Sequence, residues 1–181
     1  MSNILALLLA AALLVTSPAQ ADESPYNKGV AAWRVKDYAE ARKQWEASLA
    51  QGGPDEALNN LAYLLYYGLG GQREPEKAVE LWRKGAVLAV SEAQLHLGEA
   101  YKEGDGITAS PTLAYAWHLC AIATAGKLAA SDETEADILK SATESLDKLL
   151  PKLTASERTE GERLGKELIV KYGAPLSLEQ P

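Results

Sequence analysis

Small and aromatic residues at positions 38, 41, 45, 48 and 49 fall at the i, i+3, i+4 spacing of a buried helical face. The spacing predicts a helix over Asp37–Leu49, stopped by Gly52-Gly53-Pro54. Just upstream, Asp22-Glu23-Ser24-Pro25 places a cap and a first-turn proline ahead of a helix that runs to about Val35. Together these make a helix pair from Pro25 to about Gln51. From Ala57 to Gly126 one pattern is then written twice at an offset of 36 residues: Ala57 returns as Ala93, Leu61 as Leu97, Gly68 as Gly104, Gly70 as Gly106, Pro75 as Pro111 and Ala78 as Ala114. Recurrence in register is the mark of a repeat architecture. In each copy the glycines supply positive-φ positions that end a first helix, and the proline opens a second, where a missing N–H costs nothing.

Facing alanines and glycines let the two helices of a unit approach closely, and Trp or Leu fills the space toward the next pair. Such a unit cannot bury its face alone, so neighbours must stack. After Gly126 the repeat fades. Apolar residues at 138, 139, 142, 146, 149 and 150 predict a helix capped by Asp132–Glu135 and stopped by Pro151. Thr154-Ala155-Ser156-Glu157 is a capping box that opens a last helix, with Leu164, Leu168, Ile169 and Tyr172 on one stripe and Gly173 as its stop. The pattern gives an all-α chain: an α/α solenoid of three helix pairs (22–53, 54–90 and 91–127), a helical cap over 128–173 and a tail from Ala174 to Pro181.

Gly29, Ala41 and Trp45, with the break at Gly53-Pro54, resemble the small-residue and aromatic spacing of a tetratricopeptide repeat. The next two units resemble Sel1-like repeats, a relative with a longer loop between its helices. The third unit carries the resemblance best, in Ala93-Gln94-Leu95-His96-Leu97-Gly98-Glu99-Ala100-Tyr101-Lys102-Glu103-Gly104-Asp105-Gly106 followed by Ala114-Tyr115-Ala116-Trp117. The second departs from the family twice: Ala62 stands where Gly is usual, and Leu81 where an aromatic is usual. The resemblance implies a solenoid whose first helices line a concave, partner-binding face. It also points toward envelope regulation, secretion, motility or polysaccharide systems without choosing among them. Enzyme activity belongs to cysteine-rich relatives and is not expected in a chain that lacks their paired cysteines.

Setting Gly29, Ala62 and Gly98 at one structural position places Trp33, Tyr66 and Lys102 in one row, four residues later. Val30, Tyr63 and Glu99 form the neighbouring row, and Arg34, Tyr67 and Glu103 a third. With Asn59, the residues Trp33, Arg34, Tyr63, Tyr66, Tyr67, Glu99, Lys102 and Glu103 are the candidate partner-binding set. Tyr and Trp supply stiff contact area with a polar handle, which suits protein or peptide recognition. Three tyrosines within five residues cannot share one helical face, so at least one of Tyr63, Tyr66 and Tyr67 packs between repeats. Trp45 and Trp82 are expected in the packing, and by the resemblance Trp117 follows them.

Composition narrows the setting. Met1 to Ala21 holds no Lys, Arg, Asp or Glu, carries an apolar run from Ile4 to Val15 and ends in Ala19-Gln20-Ala21. It reads as a signal peptide cleaved after Ala21, its apolar run shorter than the about 20 residues of a membrane span. A periplasmic location, with no membrane insertion after cleavage, is the expectation. The net charge of −7 argues against nucleic acid and anionic membrane surfaces as partners. The sole cysteine, Cys120, has apolar neighbours and reads as a buried thiol.

Catalytic groups are sparse. His118 and Cys120 lie two apart on a helix and cannot form a couple, and the histidines read as repeat-surface residues. Glu99 and Glu103 read as solvated carboxylates, and the glycine runs follow helices rather than strands, so neither metal nor cofactor is expected. The sequence therefore predicts a non-catalytic periplasmic adaptor for a protein or peptide of the cell envelope. Two other readings stay open: a hydrolase of a cell-wall component using the acidic residues of the third repeat, and a self-associating structural spacer.

Overall fold

The structure, a computed structural model, describes residues 24–173. The expected leader, its cleavage point and the C-terminal tail lie outside the described residues. Among the described residues eight α-helices form in chain order: α1 (Pro25–Arg34), α2 (Tyr38–Ala50), α3 (Glu56–Tyr67), α4 (Pro75–Val87), α5 (Ser91–Glu103), α6 (Pro111–Leu128), α7 (Glu133–Leu149) and α8 (Ala155–Tyr172), with a short 3₁₀ turn, Leu150–Lys152, between the last two. No strand occurs among the described residues.

The local rules of the sequence account for the boundaries. Ser24, Asp37, Ser110 and Asp132 each accept a first-turn backbone N–H, and Thr154 closes a full capping box with Glu157. Prolines open α1, α4 and α6. Gly68 and Gly104 end α3 and α5 in the left-handed region, at φ 68° and 74°. Two turns use that region without glycine, Lys36 after α1 and Ala89 after α4, both at φ 62°. Gly173 ends α8 in an extended conformation (φ −63°, ψ 150°).

Helices α1–α2, α3–α4 and α5–α6 pack as successive pairs, and each second helix also packs on the first helix of the next pair. The close approaches are made as the small residues predict. A Cβ on Gly98 would come within 2.5 Å of the His118 ring, and one on Gly29 would strike the indole of Trp45. Fully buried Ala41, Ala57, Ala62, Ala78, Ala93 and Ala100 let the backbones close up around Trp45 and Trp82.

One junction is made the same way twice. Gly70 and Gly106, at φ 74° and 72°, lay their backbones against the first turn of the preceding unit's second helix, Gly70 on Tyr38 and Gly106 on Pro75. Each is held by an arginine. Arg42 on α2 donates to the Gln72 carbonyl at 3.0 Å and pairs with Glu74; Arg73 donates to the Tyr66 carbonyl at 2.8 Å and pairs with Asp105. Side chain and loop thus clip neighbouring units together.

The C-terminal helices do not form a fourth pair. Both α7 and α8 pack on α6, on different sides. Helix α6 buries the consecutive run Ala114 to His118 and then Cys120, Ala121, Thr124 and Ala125, so it has no polar face and needs cover all round. The α8 contact rests on Gly161 and Gly165, whose missing side chains admit Tyr115 and Leu119 of α6. At its far end Tyr172 stacks on Trp117 (6.2 Å, 16°), and its carbonyl accepts from the buried Gln94 amide at 3.0 Å.

Candidate functional site

Starting from the aromatic rows, the structure brings Trp33 and Tyr63 together edge to face with ring centroids 5.6 Å apart. Tyr63 continues to Tyr67 at 4.6 Å and to His96 at 5.6 Å, so α1, α3 and α5 contribute to one aromatic ladder. Beside it opens a cleft of ≈ 560 Å³ lined by Val30, Trp33, Trp45, Asn59, Asn60, Tyr63, Glu92 and Thr134. A volume of this order is typical of sites for organic groups. Thr134 belongs to α7: the cap forms a wall of the cleft as well as covering the last repeat, which the sequence alone did not disclose.

At the cleft floor, Asn59 is 2 % exposed. Its Nδ2 donates to Glu92 Oε2 at 2.8 Å, and its Oδ1 has no partner. Glu92 and Glu56 also act on Tyr26, whose phenol is raised above its usual value first by burial and then by the Glu56 charge. A second, smaller cleft of ≈ 270 Å³ adjoins the first through Asn59, Glu92 and Thr134, and adds Asp55, Glu56 and Glu135.

The three tyrosines separate as the helical period requires. Tyr67 is 53 % exposed and Tyr63 is half-buried at the cleft. Tyr66 is buried against Trp82 (4.9 Å) under the Arg73 guanidinium, and burial followed by the Asp105 charge pushes its phenol up to about 12. Tyr66 is thus the packing member of the three. Trp33 is partly buried, with one side on Trp45 and Tyr38. Arg34 is exposed in the last turn of α1 and lines neither cleft.

The charged members of the candidate set form a different object. Glu99 is half-buried, bonded by Lys102 and faced by the fully buried His118, whose Nε2 lies 3.3 Å from Glu99 Oε1. That separation suits a hydrogen bond but the alignment does not, and neither ring nitrogen has an aligned partner. Burial alone would raise the Glu99 carboxyl; the His118 ring, the Lys102 ammonium and the Ser145 hydroxyl from α7 outweigh it and hold the group well below the ordinary 4.5. The expectation of a solvated Glu99 is corrected, and so is that of a surface His118. A carboxylate held ionised in this way has no proton to give as a general acid. Lys102 also reaches Glu103 at 3.3 Å, and Glu103 stays largely exposed.

A register error explains the His118 correction. At the 36-residue offset His118, not Trp117, is the counterpart of Trp82. It takes the same place in its pair that Trp45 takes beside Gly29, and Trp117 is freed to stack on Tyr172. Cys120 is a core thiol as expected: it is fully buried, and burial pushes it up to about 11.

Comparison with known proteins identifies the two central units. A family model described as Sel1 repeat matches residues 55–86 and 91–123, which are the α3–α4 and α5–α6 pairs. The chain carries two Sel1 repeats. Among solved structures it is similar to a protective antigen of uropathogenic Escherichia coli with an SLR fold, at 27% identity and a TM-score of 0.71 over 82% of this chain. It spans only 30% of that antigen's length. It also shares its fold with a Sel1 repeat protein from Oxalobacter formigenes (22% identity, TM-score 0.51, 70% of this chain and 56% of the other). No curated protein matches the sequence significantly. Sel1 repeats generally mediate protein–protein interaction, on a scaffold that is typically non-catalytic. No helix among the described residues is long and apolar enough to cross a membrane. The aromatic cleft lies where the two matched segments, which supply Asn59, Asn60, Tyr63 and Glu92, meet the helices α1, α2 and α7 outside them.

Proposed function

We propose that this protein is an exported, non-catalytic adaptor that holds a segment of another cell-envelope protein against its concave face. The observation that carries the reading is the ladder Trp33–Tyr63–Tyr67, partly or largely open to solvent and running beside the ≈ 560 Å³ cleft. Aromatic rings fixed by their neighbours give up little conformational freedom on binding, which favours them as contact points. The uncharged leader ending in Ala19-Gln20-Ala21 supports export, with the mature protein working in the periplasm.

The test is capture of partners from a periplasmic extract by the wild-type protein and by a Tyr63→Ala, Tyr67→Ala double variant. Both tyrosines are at least partly exposed, so helicity by circular dichroism stays at the wild-type level while capture falls about tenfold or more, the size of effect expected for two aromatic contact residues. Equal recovery of the same proteins by both would overturn the groove assignment. The N-terminal residue of the exported protein is expected to be Asp22, read by sequencing the protein recovered from the periplasm.

A further inference from the structure

The cleft beside the ladder has a chemical bias. Glu92 reaches it from α5, and the adjoining cleft brings Asp55, Glu56 and Glu135 to the same rim. No Lys or Arg is among the residues lining either cleft. On the floor, Asn59 commits its amide donor to Glu92 and leaves Oδ1 buried and without a partner. An orphaned acceptor at this depth is costly unless something donates to it. Glu135 Oε2 is likewise buried and unpartnered. Trp45 also lines the cleft, and its indole N–H, without a partner too, lies against Gly29. Above the floor stand the rings of Trp33 and Tyr63.

Unpaired acceptors, a carboxylate and aromatic faces with no Lys or Arg among them, and with the His96 imidazole 3.8 Å from Glu92 Oε1, describe a receptor for an organic cation. A planar guanidinium fits best, because it stacks on an indole while its edge donates to two oxygens at once. Resting on the groove reading above, we propose that the cleft formed by Trp33, Asn59, Tyr63 and Glu92 receives an arginine side chain of the partner segment. The guanidinium packs against Trp33 and Tyr63 and donates to Asn59 Oδ1 and Glu92. The partner's binding segment is therefore basic, which also matches the −7 charge of the chain.

The experiment compares blocked nonapeptides of Gly, Ala and Ser that differ only at the centre: arginine, its neutral isostere citrulline, norleucine and glutamate. Binding to the purified chain is followed by tryptophan fluorescence and by the shifts of the indole N–H signals in NMR. The arginine peptide is expected to bind about tenfold or more tighter than the citrulline peptide, and the glutamate peptide not at all. In Glu92→Gln, which keeps an acceptor for Asn59, the arginine preference collapses, whereas Glu144→Gln on the exposed side of α7 leaves it intact. Equal binding of arginine and citrulline peptides, tighter binding of the norleucine peptide, or no arginine binding overturns the cation assignment. The groove reading is judged separately, by whether the double tyrosine variant loses its periplasmic partners. The peptide comparison on the wild-type protein decides the matter even if Glu92→Gln fails to fold.

Discussion

At the scale of single residues, the most consequential contact is Gly98 against His118. The ring fills the space that a side chain at 98 would need, and in Gly98→Ala the new Cβ would lie 2.5 Å from Nδ1 in a core with no slack. The variant is expected to lose about 1–3 kcal/mol of stability, read as a lower midpoint in urea. Glu99, two atoms' breadth from the same ring, gives the fold a pH dependence. Its carboxyl is held below the ordinary 4.5, so its stabilising contribution is whole above that value and is lost as pH falls below it. Glu99→Gln is expected to be less stable than wild type at neutral pH, with the two melting temperatures converging as pH is lowered from about 5 toward 3. Much of this was legible in advance. The small residue at 98 announced a close approach, and the charges of Glu99 and Lys102 are in the sequence. What periodicity could not show is that His118 replaces a tryptophan at the repeat offset and sinks fully out of water. That follows only when the 36-residue register is carried through position 82 to 118. Tyr66 and Tyr67 teach a similar point: adjacent residues of one type were predicted to diverge, but only the packing of Trp82 and Arg73 decides which one goes inside.

At the scale of elements, caps and stops were readable nearly to the residue, because each depends on a few neighbouring side chains. The arrangement of the last two helices was not. A stripe of Leu164, Leu168, Ile169 and Tyr172 declares that α8 buries a face without declaring against what, and the decisive signal is the pair Gly161 and Gly165, one turn apart, which admits Tyr115 and Leu119 of α6. The role of α7 as a cleft wall depends on how the array curls, and no local pattern encodes it. The loops allow a paired measurement. Gly52 and Gly106 have nearly the same φ, 70° and 72°, but a Cβ on Gly52 meets open space and one on Gly106 would lie 2.5 Å from the Pro75 carbonyl. Gly52→Ala is expected to cost about 1 kcal/mol, the left-handed penalty alone, and Gly106→Ala clearly more, both by chemical denaturation.

At the scale of the whole molecule, an acidic chain meeting a basic segment implies association that responds to salt. Exposed charges are screened over about 8 Å at physiological ionic strength. The rate of partner capture is therefore expected to fall several-fold between about 50 and 500 mM salt, measured by surface-immobilised binding, with a much smaller change in the dissociation rate. A groove that worked by apolar contact alone would show a flat association rate. The fold class was plain from sequence because stacking is local: each unit declares its own small residues and stops. The groove was legible only as rows of side chains, because its walls come from segments as distant as Val30 and Thr134.

The seat of Gly70 on Tyr38 is made again by Gly106 on Pro75, and each time an arginine of the preceding unit pairs with an acidic residue of the following one, Arg42 with Glu74 and Arg73 with Asp105. A joint that asks nothing of a unit except its neighbour permits growth from the middle: duplicating one period of 36 residues supplies a new loop, a new arginine and a new seat for the next loop together. Chain length in such a lineage can therefore change in whole steps while both ends, and the cleft that depends on them, must be refitted each time the curl carries α7 to a new place.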